Sequence, residues 1–136
     1  MTKLPSKRKL YTLAFGIGGF LFIFCHVFDL FFYPHLKIEL LLIRIFICLL
    51  LILGGIILRK IHTRWYDLLA AILAICSGLS VTAMAALSGD GFASPLYAGH
   101  FLIIMVYSLL FYLGNRLYIG AVIVVMLQHF TILSFF

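Results

Sequence analysis

Long apolar stretches separated by short polar interruptions account for nearly the whole chain. The first runs from about Leu10 to Tyr33 and stops at Pro34, and the second from about Glu39 to Leu58, ending at Arg59-Lys60. A third covers Trp65 to Leu87, a fourth Leu96 to Leu113 and a fifth Leu117 to Phe136, with Gly114-Asn115-Arg116 turning the chain between the last two. A helix rising 1.5 Å per residue needs about 20 residues to cross a bilayer, and each stretch is long enough. Helices are the open-chain spans that satisfy their own backbone polar groups in lipid. The pattern predicts an all-α integral membrane bundle of about five transmembrane helices, one domain over residues 1–136, without internal repeat or low-complexity linker.

Composition agrees. Hydrophobic residues make up 65% of the chain and charged residues only 10%, with a mean hydropathy of +1.24; a soluble domain carries roughly 25% charged residues. No room remains for a soluble catalytic domain. The opening MTKLPSKRK suits a signal peptide, but the apolar run behind it is longer than a 7–15-residue signal core and ends without a small-residue cleavage pattern, so it is read as a retained helix. Cys25, Cys48 and Cys76 lie inside apolar runs, where they serve as small apolar side chains rather than disulfide or zinc partners.

The formal charge of +6 is a topology signal. With the N-terminus in the cytoplasm, Lys3, Lys7, Arg8, Lys9, Arg59, Lys60, Arg64 and Arg116 are all cytoplasmic, while only Lys37 falls in an outer loop. The remaining effect of the charge is attraction to anionic lipid, and no nucleic-acid partner is expected. The chain stops in mid-hydrophobicity on TILSFF. That ending is read as the front of a longer protein whose next helix returns to the cytoplasm, the alternative being a five-span protein with an external end.

Ionisable groups at membrane depth are costly and face an interior or a cavity. Asp29 near the outer end of the first helix and Arg44 near that of the second are expected to pair, since immersing either alone is expensive. Such a pair is either a structural clamp or a site where Arg44 keeps a free edge for an anionic or carbonyl-bearing ligand. His26 sits one turn below Asp29. His100 and His129, on the fourth and fifth helices, fall in the same outer layer with Thr82 and Gln128. Three readings stay open: histidines bonded to neighbouring carbonyls, a polar pocket for a small signal, or metal or haem b held by facing imidazoles. No cofactor is predicted; haem b on His26 and His100 is the alternative. His35 and His62 fall in loops at the membrane edges.

The turn SGDGFASPLYAGH, residues 88–100, delivers Tyr97 and His100 to that layer. Gly89, Gly91 and Gly99 relax its backbone, Asp90 and Ser94 can bond local amides, and Ser94-Pro95 suits a helix start. A tight external turn explains most of this without function.

The run Asp, Tyr-Pro, then Leu-x-x-Arg in DLFFYPHLKIELLLIR, a third helix rich in small residues, and GDGFASPLYAG together resemble the six-helix bacterial membrane sensor domain over roughly residues 8–136. Such domains precede histidine kinases, class III adenylate cyclases and related outputs, and include quorum-sensing receptors for small hydrophobic signals. The resemblance implies a receptor domain in the bacterial inner membrane, with its output reached through a sixth helix. This chain departs from the pattern by lacking that helix and any output domain, and by carrying His100 after Gly99.

Ala70, Ala74 and Gly78 make a small-residue face on the third helix, suited to close packing within the monomer or in a homodimer. Gly16, Gly18, Gly19 and Gly54-Gly55 are its candidate partners. Most Phe and Tyr are expected to be lipid-facing or interfacial filler, and Trp65-Tyr66 beside Arg64 to anchor the inner interface. Asp67 suits the N-terminus of the third helix. No nucleophile–base pair, phosphate loop or paired carboxylates suggest an enzyme. The reading that combines these features is a sensor-type domain whose ligand-binding residues are His26, Asp29, Arg44, Tyr97, His100 and His129, relaying a small signal to a cytoplasmic output. The alternative is a haem-binding or structural subunit of a larger redox or photosynthetic complex.

Overall fold

The structure, a computed structural model, describes residues 6–90, 96, 104–105 and 117–134. All regular elements among them are helical: α1 (Lys7–Phe24), α2 (His26–Phe32), α3 (Lys37–Leu58), a 3-10 turn (Thr63–Trp65), α4 (Tyr66–Leu87) and α5 (Tyr118–Leu133). The segments Arg8–Phe32, Lys37–Leu58 and Tyr66–Leu87 are each long and apolar enough to cross a membrane. Helix α5 is apolar but has only 16 residues, about 24 Å of helix. The expected fourth span, 96–113, lies almost wholly outside the described residues.

Several boundaries differ from the hydropathy reading. The first two spans start earlier than expected, at Lys7 and Lys37. The third begins at Tyr66 after the 3-10 turn, and the fifth ends at Leu133 rather than Phe136. The first span is also not one helix. Its ladder changes at Cys25, where the Cys25 N–H donates to the Leu21 carbonyl four residues back but the Phe28 N–H donates to the Cys25 carbonyl only three residues back. Between them the Phe22 carbonyl accepts from Arg44 of α3 at 2.9 Å. A side chain inserted into the ladder is a recognised cause of helix breaks, and no proline or glycine at this point offers another.

Helix α3 packs against α1, α2 and α4, and α4 packs against α5. Helices α1 and α3 are antiparallel: Thr12 lies beside Gly55 and Gly19 beside Cys48. Helix α4 is central, since 61% of its most apolar window is buried against 33% for α3 and 22% for the first span. Close approach depends on two glycines. A Cβ at Gly54 would lie 2.4 Å from Leu73 Cδ1 of α4, and one at Gly78 would lie 2.6 Å from both Cγ atoms of Val125 on α5. Ala70 and Ala74 are buried as well. The small-residue face is therefore occupied inside the monomer, and the partner of Gly78 is Val125 rather than any glycine of α1 or α3.

The Gly78–Val125 contact and the Thr82–His129 contact advance together along both helices, so α4 and α5 run parallel. Two tyrosines lock α1–α2 to α4 in the same sense. Tyr11 donates to Asp67 Oδ1 at 2.8 Å, and Tyr33 donates to Asp90 Oδ2 at 2.7 Å. These tyrosines stand about 33 Å apart along a helix, close to the ~30 Å hydrocarbon thickness.

This corrects three expectations. Tyr11, Tyr33 and Tyr66 are buried rather than lipid-facing. Asp90 reaches across to Tyr33, while its local bond runs from its own N–H to Ser88 Oγ. Tyr66 belongs to the core, and only Trp65 stays exposed, beneath the Arg64 guanidinium at 5.4 Å. The lipid-facing surface is made instead by side chains such as Phe20, Phe31, Leu42 and Phe46, all exposed. The three cysteines are free thiols, each half-buried.

Candidate functional site

Asp29 and Arg44 meet where α2 packs against the N-terminal part of α3. Arg44 lies two turns into α3, and its partner projects from a short helix released from α1 by the break at Cys25. The guanidinium approaches the carboxylate side-on: Nε donates to Oδ2 at 2.5 Å and Nη2 to Oδ1 at 2.8 Å. Both residues are buried, Asp29 completely and Arg44 to within 6%. A planar fork matched to a carboxylate is the geometry in which arginine gives its strongest paired hydrogen bonds.

The rest of the cluster builds on that pair. Arg44 Nη1 donates to the Phe22 carbonyl, and the guanidinium carbon lies 5.7 Å from the centre of the Phe22 ring. His26 Nδ1 stands 3.1 Å from Asp29 Oδ2, one turn away on the same helix. As donor to the carboxylate, Nδ1 carries the proton, so a neutral His26 leaves Nε2 as an acceptor. Arginine has five N–H donors, of which this arrangement uses three. The cluster thus offers two guanidinium donors and one imidazole acceptor beyond its internal bonds.

His129 belongs to a second cluster. It is fully buried between α4 and α5, with Nδ1 at 3.4 Å from Thr82 Oγ1. The Thr82 hydroxyl donates to the Gly78 carbonyl at 3.1 Å, so this long contact requires the imidazole N–H as donor. Gln128, the neighbouring residue, has a buried Oε1 without a hydrogen-bond partner. Among the described residues no hydrogen bond or ion pair joins this cluster to His26, Asp29 or Arg44. The expected single layer therefore resolves into two groups, one on each side of the α3–α4 packing. Tyr97 and His100 lie outside the described residues.

The described residues contain no group of three or more His, Cys, Asp or Glu side chains placed to hold a metal. His26 commits Nδ1 to Asp29, and the second haem ligand of the alternative reading, His100, is outside the described residues. The two Tyr–Asp locks were missed at the sequence level. Their signal is faint: sequence separations of 56 and 57 become meaningful only once α1 and α4 are known to run parallel. No family model matches the chain, and no curated protein or solved structure shows significant similarity to it.

Proposed function

We propose that this chain is a receptor-type membrane domain that binds a small signal molecule beside the Asp29–Arg44–His26 cluster and passes the change in helix packing to a cytoplasmic output. The observation that carries the reading is the charge-compensated guanidinium with two N–H donors beyond its internal bonds, held at membrane depth next to an imidazole acceptor. Buried polar groups of this kind are expensive in lipid and mark functional positions by default. The ligand class that fits is small, largely apolar and carries a carbonyl or carboxylate for Arg44 together with a donor for His26. The break at Cys25 supplies a route for the signal, because α2 and α1 share Arg44 as their tie to α3 and a ligand that redirects the guanidinium alters both. The bias of basic residues supports an orientation with Arg8, Arg59 and Arg64 in the cytoplasm and the cluster near the outer face. The resemblance to bacterial sensor domains supports the same assignment.

The test is thermal unfolding of the protein in neutral detergent against a panel of small apolar carbonyl compounds. A true ligand raises the unfolding temperature of wild type, by about 2.7 kcal/mol of stabilisation at a hundredfold excess over its Kd. The effect should vanish in Arg44→Lys, which keeps the charge and loses the fork, and weaken in His26→Ala. Stabilisation retained in both variants would remove the cluster from the binding site. The absorption spectrum is the companion measurement: a Soret band abolished by His26→Ala would reassign the site to haem b.

A further inference from the structure

At the basic end of the bundle, far from Asp29 and Arg44, a furrow of about 820 Å³ runs along α1, within the range of roughly 300–1,000 Å³ typical of small-molecule sites. Arg8, Lys9 and Arg59 stand at its mouth, and Gly16, Ile17 and Phe20 line its length. Its lining contains no acidic side chain. All three cations are exposed, and none has a hydrogen bond or ion pair among the described residues. Elsewhere at this end Arg64 covers Trp65, and Asp67 accepts from Tyr11. At Gly16 the floor of the furrow is open, since an added Cβ would meet nothing within 4 Å. Its axis follows the helix, and therefore the direction of a lipid chain, from a charged end toward exposed apolar residues.

We infer that this furrow is a specific seat for one anionic phospholipid, with the phosphodiester held by Arg8, Lys9 and Arg59 and an acyl chain lying over Gly16 against Ile17 and Phe20. Charge complementarity selects the occupant: three uncompensated cations from two antiparallel helices converge on one mouth, and the apolar floor excludes a purely soluble anion as the best fit. A lipid so placed would bridge the start of α1 to the end of α3, at the opposite end of the first span from the Asp29–Arg44 pair that ties α2 to α3.

The experiment uses the full chain exchanged into detergent micelles containing equal parts phosphatidylglycerol and phosphatidylcholine, then washed, with retained lipid counted by native mass spectrometry. Wild type is expected to retain phosphatidylglycerol and shed phosphatidylcholine. Retention should fall about fivefold for each charge removed in Arg59→Gln and Lys9→Gln. Gly16→Leu places its Cβ in open space and its side chain into the furrow, so it should lose the lipid while keeping its helical content and unfolding temperature. Equal retention of both lipids overturns the proposal. Retention of phosphatidylglycerol by folded Gly16→Leu also overturns it, since the charges would then act as a diffuse surface. Displacement of the lipid by millimolar glycerol phosphate would reduce the furrow to a phosphate site and sink the acyl-chain part of the claim.

Discussion

Arg44 aims three N–H groups at two carboxylate oxygens of Asp29 and the Phe22 carbonyl, and this sets what its removal or isolation does. Asp29→Asn leaves a guanidinium buried to within 6% of its surface without its counter-ion, and breaking such a pair costs about 3–5 kcal/mol. Replacing both partners together, Asp29→Leu with Arg44→Met, removes the desolvation of both ions and should restore stability to within about 1 kcal/mol of wild type or raise it. Unfolding by denaturant in detergent, followed by circular dichroism, measures both. A single variant as stable as wild type would mean that the pair is screened by water in a way its burial does not suggest. The double variant has a second use: it should fold but bind no ligand, which separates the functional role of Arg44 from its structural one. At this scale the sequence was informative for a physical reason. A lone carboxylate and a lone guanidinium at similar depth on adjacent antiparallel helices have few other ways to be neutralised. The third committed acceptor, the Phe22 carbonyl, was not legible, because a backbone group becomes available only when the ladder breaks, and nothing in GFLFIFCHVFDL announces the break.

Helix pairs respond to glycine substitution according to what stands opposite. At Gly78 the obstacle is Val125, a β-branched side chain with both methyls at 2.6 Å and its Cβ at 3.1 Å from an added Cβ, and its χ1 cannot move aside cheaply. At Gly54 the nearest atom is a methyl at the tip of Leu73, a longer side chain with more freedom, although its other methyl and its Cγ lie at 3.3 and 3.4 Å. Gly78→Ala should therefore destabilise by about 1–3 kcal/mol through overpacking, Gly54→Ala by less, and Val125→Ala should recover part of the loss in the first case. Gly120→Ala is the control: open space surrounds that position, and the gain in helix propensity is up to about 1 kcal/mol. A denaturation series over these variants in which Gly78→Ala and Gly120→Ala behave alike would show that α4 and α5 do not meet at that contact. Gly89 belongs to a different class, since its φ of +74° is a conformation that L side chains rarely adopt, and it closes α4 where its N–H bonds the Ala86 carbonyl. Long apolar runs located α3 and α4 well, because length and hydropathy suffice for a span. They could not show which glycine meets which partner, since that depends on register between helices, and register is a tertiary property.

The whole molecule is organised by direction. Tyr11–Asp67 and Tyr33–Asp90 tie the first span to α4 at both ends, and Gly78–Val125 with Thr82–His129 ties α4 to α5 in the same sense. The first span, α4 and α5 are therefore three parallel helices, and α3 is antiparallel to them. The lipid-facing belt and the buried seam follow from this arrangement: the exposed faces of α1 and α3 carry Phe20, Leu42 and Phe46, while Tyr11, Leu58, Met84 and Val125 are buried. Parallelism makes a topological prediction independent of any ligand. With Cys25, Cys48 and Cys76 replaced by alanine, single cysteines at Asp90 and Ser134 must lie on one side of the membrane, and those at Lys60 and Leu117 on the other. If the basic end faces the cytoplasm, a membrane-impermeant thiol reagent added to intact cells labels Asp90→Cys and Ser134→Cys, and reaches Lys60→Cys and Leu117→Cys only after permeabilisation. A wholly inverted pattern would keep the fold and reverse the orientation. Labelling of Asp90→Cys and Ser134→Cys from opposite sides would break the parallel pairing of α4 and α5, and with it the placement of His129 at the same end of the bundle as Asp29.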